Sequence, residues 1–508
     1  MLVHQFLESS ANRRPEHLCL ICDGQRLSYA EVDLAANRLA NALVSLGIQR
    51  GDRVVLFLPN CVELVVSIFA VLKAGGVFVI VNQTTKAQKL SYILDNCQAF
   101  AIIGHTRDTK NLSQLKNDIS TLKSVILTAD HNEESSETGF LSYAAIQKGF
   151  PSSKPVVVTI DLDLACLIYT SGSTGEPKGV MSDHSNIDFA SSSIISYLEN
   201  DENDIVLNAL PLSFDYGLYQ LLMVFKFGGT LVLEKNFVFP VAILKRIESE
   251  KVTGFPGVPT IFSLLLQMDT SGYDLSSLRY LSNTAAALPP SHILQIRERF
   301  SWARLYSMYG LTETKRTLYL PPEQLDIRPA SVGIAIPGTE VWVEGEDGHR
   351  KGEGEVGELV VRGRHVMRGY WNAPDETARR FRPGSIPGER LCYTGDLFKM
   401  DSEGYLYFVA RKDDMIKSRG EKVSPIEVEK ILYGLPGVVE AAVIGIPDPV
   451  YGQAIKAFLV CNDSNISEKS VLAHCRANLE DFMVPKFIEF RQELPKTSSG
   501  KIQKNTLS

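Results

Sequence analysis

Short apolar segments alternate with helical patterns along the chain, and this alternation constrains the fold more than any other feature. Segments typical of buried strands are "DRVVLFLP" (52–59), "GVFVIV" (76–81), "SVILTA" (124–129) and "LACLIYT" (164–170). Helical patterns lie between several of them, as in "SYAEVDLAANRLANALVSLG" (28–47). Strands that alternate with helices form mostly parallel sheets covered on both faces. We therefore expect an α/β fold built on doubly wound sheets.

The pattern changes after about residue 340. "EVWVEGEDGHR", "GELVVRG" and "GYLYFVAR" are hairpin-like, with glycine at the turns, and predict a β-rich subdomain. Further on, Ser424 and Glu427 form a capping box around Pro425, so a helix is expected to start there. Two strands, a helix near 467–479 and a strand near 486–491 follow. We predict an N-terminal domain over 1–411 and a small α/β C-terminal domain over 412–508.

Size and charge exclude several classes of function. A chain of 508 residues exceeds what one core usually supports, so two or more domains are expected. The net charge is −7, so the chain has no excess of basic residues that would favour nucleic acid or an anionic membrane.

The start of the chain has no signal-peptide pattern. The most apolar stretch (62–81) contains Glu63, Lys73 and two glycines, and predicts a buried helix, a turn and a strand rather than a membrane span.

Eight cysteines are scattered along the chain. The one close pair, Cys19 and Cys22, lies in a segment that alternates like a β-hairpin. No second cysteine or histidine pair follows at zinc spacing. We expect buried free thiols in a reducing, cytoplasmic setting.

The segment "YTSGSTGEPKGV" (169–180) is a candidate phosphate loop. Its glycines let backbone amides turn towards an anion, and its hydroxyls and Lys178 add donors. Pro177 lacks a backbone N–H and opposes the start of a helix. In P-loop NTPases, by contrast, a helix follows the loop and its N-terminus binds the phosphates. A polar surface turn is the alternative interpretation of this segment alone. The candidate anion-binding residues before the lysine are Thr170, Ser171, Gly172, Ser173, Thr174 and Gly175.

This segment resembles the signature loop of the adenylate-forming superfamily, which includes acyl- and aryl-CoA synthetases, luciferases and nonribosomal adenylation domains. Further segments resemble that family in the expected order and cover essentially the whole chain. They are "LSYAEVDLAANRLANAL" (27–43), "LKAGGVFVIVN" (72–82), "YGLTET" (309–314), "GELVVRG" (357–363), "GYW" (369–371), "YTGDL" (393–397), "RKDDMIKSRGEKVSPIEVE" (411–429) and "PKTSSGK" (495–501).

The resemblance implies a two-step reaction that uses ATP and Mg²⁺. A carboxylate attacks the α-phosphate of ATP to give an acyl-adenylate and pyrophosphate, and a thiol then takes the acyl group while AMP leaves. Catalysis of such an attack is mostly charge neutralisation and alignment. By the same resemblance Lys178 would hold the leaving pyrophosphate, and Glu313 would hold Mg²⁺.

The other nucleotide contacts also follow from the matching motifs. Tyr309, next to Gly310, would stack on adenine, and Thr312 would touch the α-phosphate. Asp396 would accept from both ribose hydroxyls, with Arg411 nearby. Lys501 would bridge the acid's carboxylate and the α-phosphate.

A rotating C-terminal domain is a further implication of the resemblance. The hinge would lie near 412–413. Rotation would remove Lys501 from the site and bring in the segment 417–422, with Lys417 as a catalytic residue. Gly420 would allow close approach of a pantetheine arm.

The segment "PLSFDYGLYQ" (211–220) carries information about the acid. Many CoA synthetases have a histidine in this region, and none is present. Phe214 and Asp215 resemble the amino-acid-activating domains, where the aspartate pairs with an α-ammonium. A buried carboxylate without a partner is costly, which gives a physical reason for a cationic ligand. The alternative is that Asp215 caps a helix. Gly217 departs from the serine usual in those domains.

By the same matching, the acid pocket would be lined by Asp215, Tyr216, Tyr219, Leu281, Asn283, Met308, Arg316 and Thr317. "FDYGLYQ" together with "YGLTETKR" looks most like free-standing ligases that load proline onto a carrier protein. Arg316 fits that reading poorly. If it points inward, it favours a substrate with a second anionic or polar group.

The thiol acceptor is expected to arrive in trans, because the chain stops seven residues after Lys501. It would be a separate acyl or peptidyl carrier protein, or CoA. Our expectation is a ligase that activates a small amino acid, proline best, for a carrier protein. The alternatives are an acyl- or aryl-CoA ligase and, less favoured, a non-catalytic AMP-binding protein.

Overall fold

The computed structural model provides a structure for most of the chain. The residues it describes are 1–129, 139–171, 176–235, 237, 239–284, 288–418, 421–448, 452–463, 465–497 and 501–507.

The strands begin and end close to the segments that the apolar pattern predicts. They are β1 (Leu18–Cys22), β2 (Gln25–Ser28), β3 (Arg53–Leu56), β4 (Val77–Ile80), β5 (Ala99–His105), β6 (Ser124–Thr128), β7 (Leu141–Ser142), β8 (Leu164–Ser171), β9 (Pro177–Asp183), β10 (Ile205–Asn208), β11 (Thr230–Leu233), β12 (Gly254–Gly257), β13 (Tyr280–Asn283), β14 (Arg304–Tyr309), β15 (Leu318–Leu320), β16 (Ile334–Ala335), β17 (Glu340–Glu344), β18 (Gly357–Arg362), β19 (Phe381–Pro383), β20 (Arg390–Met400), β21 (Leu406–Arg411), β22 (Ile416–Ser418), β23 (Glu421–Val423), β24 (Val438–Asp448), β25 (Gly452–Cys461) and β26 (Phe487–Phe490).

The helices lie mainly between these strands. They are α1 (His4–Arg13), α2 (Tyr29–Ser45), α3 (Val62–Lys73), α4 (Ala87–Asn96), α5 (Thr109–Asp118), α6 (Tyr143–Gly149), α7 (His184–Leu198), α8 (Asp215–Phe227), α9 (Pro240–Glu250), α10 (Pro259–Leu266), α11 (Pro290–Arg299), α12 (Pro374–Arg380), α13 (Pro425–Tyr433) and α14 (Glu468–Asn478).

Two large, mostly parallel sheets form the body of the molecule. One runs β16-β15-β14-β13-β12-β10-β11-β1-β2, and the other runs β7-β6-β5-β3-β4-β8-β9. Helices α3 and α8 belong to crossovers in different sheets and pack on each other, with the rings of Phe69 and Phe225 stacked at 5.0 Å. Helix α3 is buried from Leu64 to Lys73, as an almost entirely apolar helix should be. The expected α/β architecture is confirmed.

A β-rich subdomain and a small C-terminal α/β unit complete the chain. In the subdomain β17, β18, β20 and β19 are neighbours in that order, and β21 pairs with β20. In the C-terminal unit the order is β23-β22-β25-β24, with β26 on β25. Helices α13 and α14 cover this last sheet through Val428, Leu432 and Val471. The Ser424 hydroxyl accepts a hydrogen bond from the Glu427 amide, which confirms the predicted helix start.

The cysteines are unpaired, as the sequence predicts. All eight cysteines are free thiols, and most are buried, Cys61 and Cys461 only partly. Among the described residues, no helix combines the length and the apolar character needed to cross a membrane.

Candidate active site

A buried aspartate, a tyrosine and an arginine meet where the β-rich subdomain faces the large sheets. Asp396 in β20 pairs in register with Arg411 in β21. The Tyr309 hydroxyl, at the end of β14, donates to Asp396 Oδ2 at 2.6 Å. Arg411 Nε lies 3.6 Å from Asp396 Oδ1. Burial raises the pKa of Asp396, and the positive charge of Arg411 opposes that rise. The carboxylate can accept two hydroxyl donors, which is the arrangement expected for a ribose.

The ring of Tyr309 belongs to an aromatic group beside this aspartate. Its centroid lies 5.0 Å from that of Phe398 and 6.2 Å from that of Phe408. Such a surface suits a purine ring. Gly310 follows, and a Cβ there would lie 1.8 Å from the Lys315 carbonyl oxygen, so only glycine fits this turn.

Glu313 lies four residues beyond Tyr309, in the segment between β14 and β15, and is buried. Its Oε1 accepts a 2.5 Å hydrogen bond from the Tyr370 hydroxyl, and Arg380 Nε lies 4.0 Å away. Within the described residues, no group of three or more His, Cys, Asp or Glu side chains could hold a metal ion. A single carboxylate fits Mg²⁺, which takes few protein ligands and binds largely through substrate phosphates and water. Thr312 precedes Glu313 and is half-buried.

The candidate phosphate loop is the tip of a hairpin between β8 and β9. Thr170 pairs with Lys178, and Ser171 pairs with Pro177, so a strand and not a helix follows the loop. This agrees with the effect expected of Pro177. The predicted ligands Gly172, Ser173, Thr174 and Gly175 lie outside the described residues, as do the surroundings of the Ser171 side chain.

Lys178 is held at the base of this hairpin. Its Nζ lies 2.8 Å from Glu376 Oε2 and 5.9 Å from the centre of the Tyr370 ring. Lys178 lowers the pKa of the Glu376 carboxyl. Sequence reasoning did not single out Glu376 or Tyr370, although the quoted "GYW" segment contains the tyrosine. A bound phosphate would have to replace Glu376 as the counter-ion of this lysine.

Lys501 lies among the charged residues of the site. Burial and the positive charge of Arg411 lower its pKa to about 8. The charges of Asp396, Glu313 and Asp215 act in the opposite direction, so all three lie within electrostatic reach. The orientation of the C-terminal unit therefore brings Lys501 near Asp396 and Glu313.

Lys417 is exposed in the same orientation, and its backbone amide donates to Gln453 Oε1 at 2.6 Å. Gly420, predicted to lie beside a pantetheine arm, falls outside the described residues.

Asp215 has two counter-ions within the chain. Lys315 Nζ lies 2.8 Å from its Oδ1, and Arg316 Nη1 lies 3.6 Å from its Oδ2. The three side chains are buried, with exposed fractions of 7% or less. The physical reason for expecting a substrate ammonium was an unpaired buried carboxylate, and that reason does not hold in the structure.

The helix-cap alternative for Asp215 is also wrong. Asp215 is the first residue of α8, and Phe214 occupies the N-cap position without a side-chain cap. The departure at Gly217 has a steric cause. A Cβ there would lie 2.4 Å from the Pro211 carbonyl oxygen, so a serine cannot occupy this position without a shift of backbone.

Lys315 was missed in the sequence because an isolated lysine after a motif is normally a solvated charge. Its backbone has φ +60°, in the left-handed region that non-glycine residues adopt rarely. Such a conformation costs of order 1 kcal/mol and persists where the surroundings impose it. Here it accompanies a lysine that is buried against Asp215 and lies 5.7 Å from the centre of the Tyr219 ring.

Several predicted pocket residues surround this charged cluster. The Arg316 guanidinium lies 4.4 Å from the centre of the Tyr216 ring, and the Tyr216 hydroxyl donates to the Ser282 carbonyl at 2.7 Å. Tyr219 and Asn283 are buried as well. The structure therefore brings Asp215, Tyr216, Tyr219 and Arg316 together.

The remaining predicted pocket residues have other partners. Met308 Sδ accepts from the Tyr197 hydroxyl at 3.0 Å, and the Thr317 hydroxyl contacts that of Thr314 at 2.6 Å. Leu281 is buried in β13. None of these contacts links Leu281, Met308 or Thr317 to the charged cluster.

Comparisons with known proteins agree with this geometry. Residues 7–371 match the model of the AMP-binding enzyme family, and residues 427–501 match its AMP-binding enzyme C-terminal domain. The long-chain-fatty-acid–CoA ligase of Bacillus subtilis (strain 168) is 33% identical over 99% of this chain and 94% of the relative. The feruloyl-CoA synthase of Amycolatopsis sp. is 34% identical over 95% of this chain and 93% of the relative.

A solved structure shows the same fold along its length. The anthranilate CoA ligase AuaEII in complex with anthranoyl-AMP superposes with a TM-score of 0.92, at 28% identity, over 100% of this chain and 96% of that one. The chain belongs to the AMP-binding enzyme family. It is an acid–thiol ligase that acts through an acyl-adenylate and uses ATP with Mg²⁺. The comparisons favour the CoA-ligase alternative over transfer of proline to a carrier protein, which they do not support.

Proposed function

We propose that this protein is an acyl- or aryl-CoA ligase whose substrate acid has no α-ammonium group. The observation that carries the proposal is the pairing of Asp215 with Lys315 at 2.8 Å. A substrate ammonium would have to displace this internal cation from a buried site, at a large desolvation cost. Similarity to CoA ligases of two substrate classes supports the same acceptor.

The first half-reaction joins the acid to AMP. The acid's carboxylate attacks the α-phosphorus of ATP, a phosphoanhydride bond breaks, and pyrophosphate leaves. Asp396 and Tyr309 hold the ribose and the base, while Lys178 holds the leaving pyrophosphate. Lys501 neutralises the approaching carboxylate and the α-phosphate, with the Thr312 hydroxyl beside it. Glu313 would hold Mg²⁺, which would supply positive charge against the phosphates.

The second half-reaction needs a different arrangement of the two domains. We place the domain boundary between 411 and 412, with the hinge at 412–413. Rotation there withdraws Lys501 and brings Lys417 and Gly420 to the acyl-adenylate. The thiol of CoA then attacks the acyl carbonyl, and AMP leaves. The support is that Lys417 is exposed while Lys501 lies within electrostatic reach of the site carboxylates.

The relatives do not agree on one acid. Their names specify long-chain fatty acids, ferulate and anthranilate. We therefore define the substrate here only as a carboxylic acid. A reducing, cytoplasmic location is part of the proposal, and the eight free thiols support it.

The proposal is tested by offering both acceptors and matched acids. Purified enzyme receives ATP, Mg²⁺, an acid and either CoA or a phosphopantetheinylated carrier protein, and thioester is measured by mass spectrometry. We expect CoA thioesters, with no preference for proline over cyclopentanecarboxylate. Thioester on the carrier protein alone, or activation of proline alone, would contradict the proposal.

A further inference from the structure

We propose that the acid activated by this enzyme carries a second carboxylate, and that Arg316 binds it. The inference rests on the proposed function, because it names the class of acid in that same site. It concerns the charged cluster of Asp215, Lys315 and Arg316.

Arg316 has donors that the described part of the chain does not satisfy. Its exposed fraction is 2%. Nη1 lies 3.6 Å from Asp215 Oδ2, a contact longer than a hydrogen bond. Among the described residues, neither Nε nor Nη2 has a hydrogen-bond partner. Buried polar groups are normally paired, and each buried donor left unpaired is costly. Two unpaired donors on one edge of a guanidinium match the two oxygens of a carboxylate.

The charge of the cluster points to the same ligand. Lys315 and Arg316 contribute two positive charges, and Asp215 contributes one negative charge, so one positive charge remains. Lys315 has the closer contact with Asp215, at 2.8 Å against 3.6 Å for Arg316. By distance Arg316 is the less well compensated cation, although the 2.8 Å contact between Lys315 Nζ and Asp215 Oδ1 does not have hydrogen-bond geometry either. A buried charge needs a partner, and a substrate carboxylate would provide it.

A neutral donor beside the cluster opposes a purely apolar acid. The Tyr219 hydroxyl is buried and has no hydrogen-bond partner within the described ranges, and the Tyr219 ring lies 5.7 Å from Lys315 Nζ. A plain alkyl chain would leave this hydroxyl and the Arg316 donors unpaired. A site built to bond a polar group discriminates strongly against an analogue that lacks it.

The cluster also lies within electrostatic reach of Lys501. Lys501, which acts on the reacting carboxyl, is within electrostatic reach of Asp215 as well as of Glu313. Arg316 follows Glu313 by three residues and contacts the same Asp215. An acid whose first carboxyl meets Lys501 can thus direct a second group to Arg316.

The test compares matched acids in ATP–pyrophosphate exchange, which needs no thiol. The pairs are succinate and butanoate, adipate and hexanoate, and terephthalate and benzoate. We expect the diacid to exceed its monoacid partner in kcat/KM by about 10²-fold or more in at least one pair. The monomethyl ester of the preferred diacid should behave like the monoacid, because it has lost the second charge.

Variants assign the preference to Arg316. Arg316→Met should abolish the diacid preference, so that diacid and monoacid react with similar kcat/KM, and Arg316→Lys should retain part of the preference. The matched control is Arg304→Met, since Arg304 is exposed and pairs with Glu199. A wild-type enzyme that prefers every monoacid, or exchanges none of the diacids, would overturn the inference, as would an unchanged preference in Arg316→Met.

Two features keep the test decisive. Lys315 still pairs with Asp215 in Arg316→Met, so folding should survive. If it does not, the wild-type comparison of diacid, monoester and monoacid decides alone. CoA-thioester formation is read separately. Failure to form a CoA thioester would count against the proposed function. The diacid preference is measured in pyrophosphate exchange, which needs no thiol, and is therefore judged separately.

Discussion

The two parts of the site, the proposed nucleotide side and the proposed acid side, compensate their charges in opposite ways. On the nucleotide side, Lys178 pairs with Glu376, and Asp396 pairs with Tyr309 and a largely exposed Arg411. Ligand phosphates and hydroxyls can replace these partners. On the acid side, Asp215 and Lys315 pair with each other in a buried contact.

This difference shows what each part can recognise. The nucleotide side offers separate groups, each suited to one part of ATP. The acid side has already used its carboxylate internally, and the cationic Arg316 remains. The position that suggested an amino acid in the sequence is therefore an internal ion pair.

Lys501→Ala should lower adenylate formation by about 10³-fold, because a charge contact that strengthens in the transition state is lost. Thioester formation from a supplied acyl-adenylate should remain. Pyrophosphate exchange and single-turnover thioester assays measure the two steps. Lys496→Ala is the matched control, since Lys496 pairs with Glu440 within the C-terminal unit. Equal losses in both half-reactions would rule out the rotating-domain account.

Asp215→Ala should lower the free energy of unfolding by about 3 kcal/mol, because it leaves Lys315 buried without its counter-ion. Asp215→Ala combined with Lys315→Met should regain much of that loss, since the pair is removed as a unit. Urea denaturation of both variants and the wild type measures this. A cost below about 1 kcal/mol for the single change would show that the ion pair is not structural, and would revive the ammonium hypothesis.

Asp396→Asn should reduce kcat/KM for ATP by about 10²-fold, because a charged acceptor for the ribose becomes a weaker, neutral one. KM for the acid should change little, since the acid cluster does not include Asp396. Steady-state kinetics with each substrate varied separately test this. The control is Asp401→Asn, near the end of β20, where the carboxylate pairs with Arg328. Equal changes in the kinetic constants for ATP and for the acid would contradict the separation of the site into a nucleotide side and an acid side.

Adenylation by the free enzyme should weaken as the pH rises above about 8. Burial lowers the pKa of Lys501 to about 8, so raising the pH removes the ammonium proton that the first half-reaction needs. Above the pKa, kcat/KM should fall about tenfold per pH unit. In Lys501→Arg this fall should move to higher pH, because a guanidinium stays protonated. An alkaline fall at the same pH in both proteins would exclude Lys501 as its cause.

Much of the fold could be predicted from the sequence. The segments at 52–59 and 76–81 contain β3 and β4, and the pattern at 28–47 contains α2 with its Ser28–Glu31 capping box. Pro177 predicted that no helix follows the phosphate loop, and β9 begins at that residue. These features depend on local periodicity and local steric effects, which a single sequence displays.

The residues proposed to bind the nucleotide could be predicted from sequence motifs, and the contacts of Asp215 could not. Asp396 and Arg411 lie on adjacent strands of one hairpin and face each other through its register. Asp215 and Lys315 are 100 positions apart and meet only because α8 packs against the turn after β14. No periodicity or motif reports such a pair.

The sheets and the order of the motifs followed from the sequence, because they depend on local patterns that one chain displays. The tertiary structure decided what Asp215 does. It did so through the left-handed backbone of Lys315, which accompanies burial of its ammonium against the carboxylate. The net charge of the cluster of Asp215, Lys315 and Arg316 is a sum over side chains from distant segments, so only packing could set its sign.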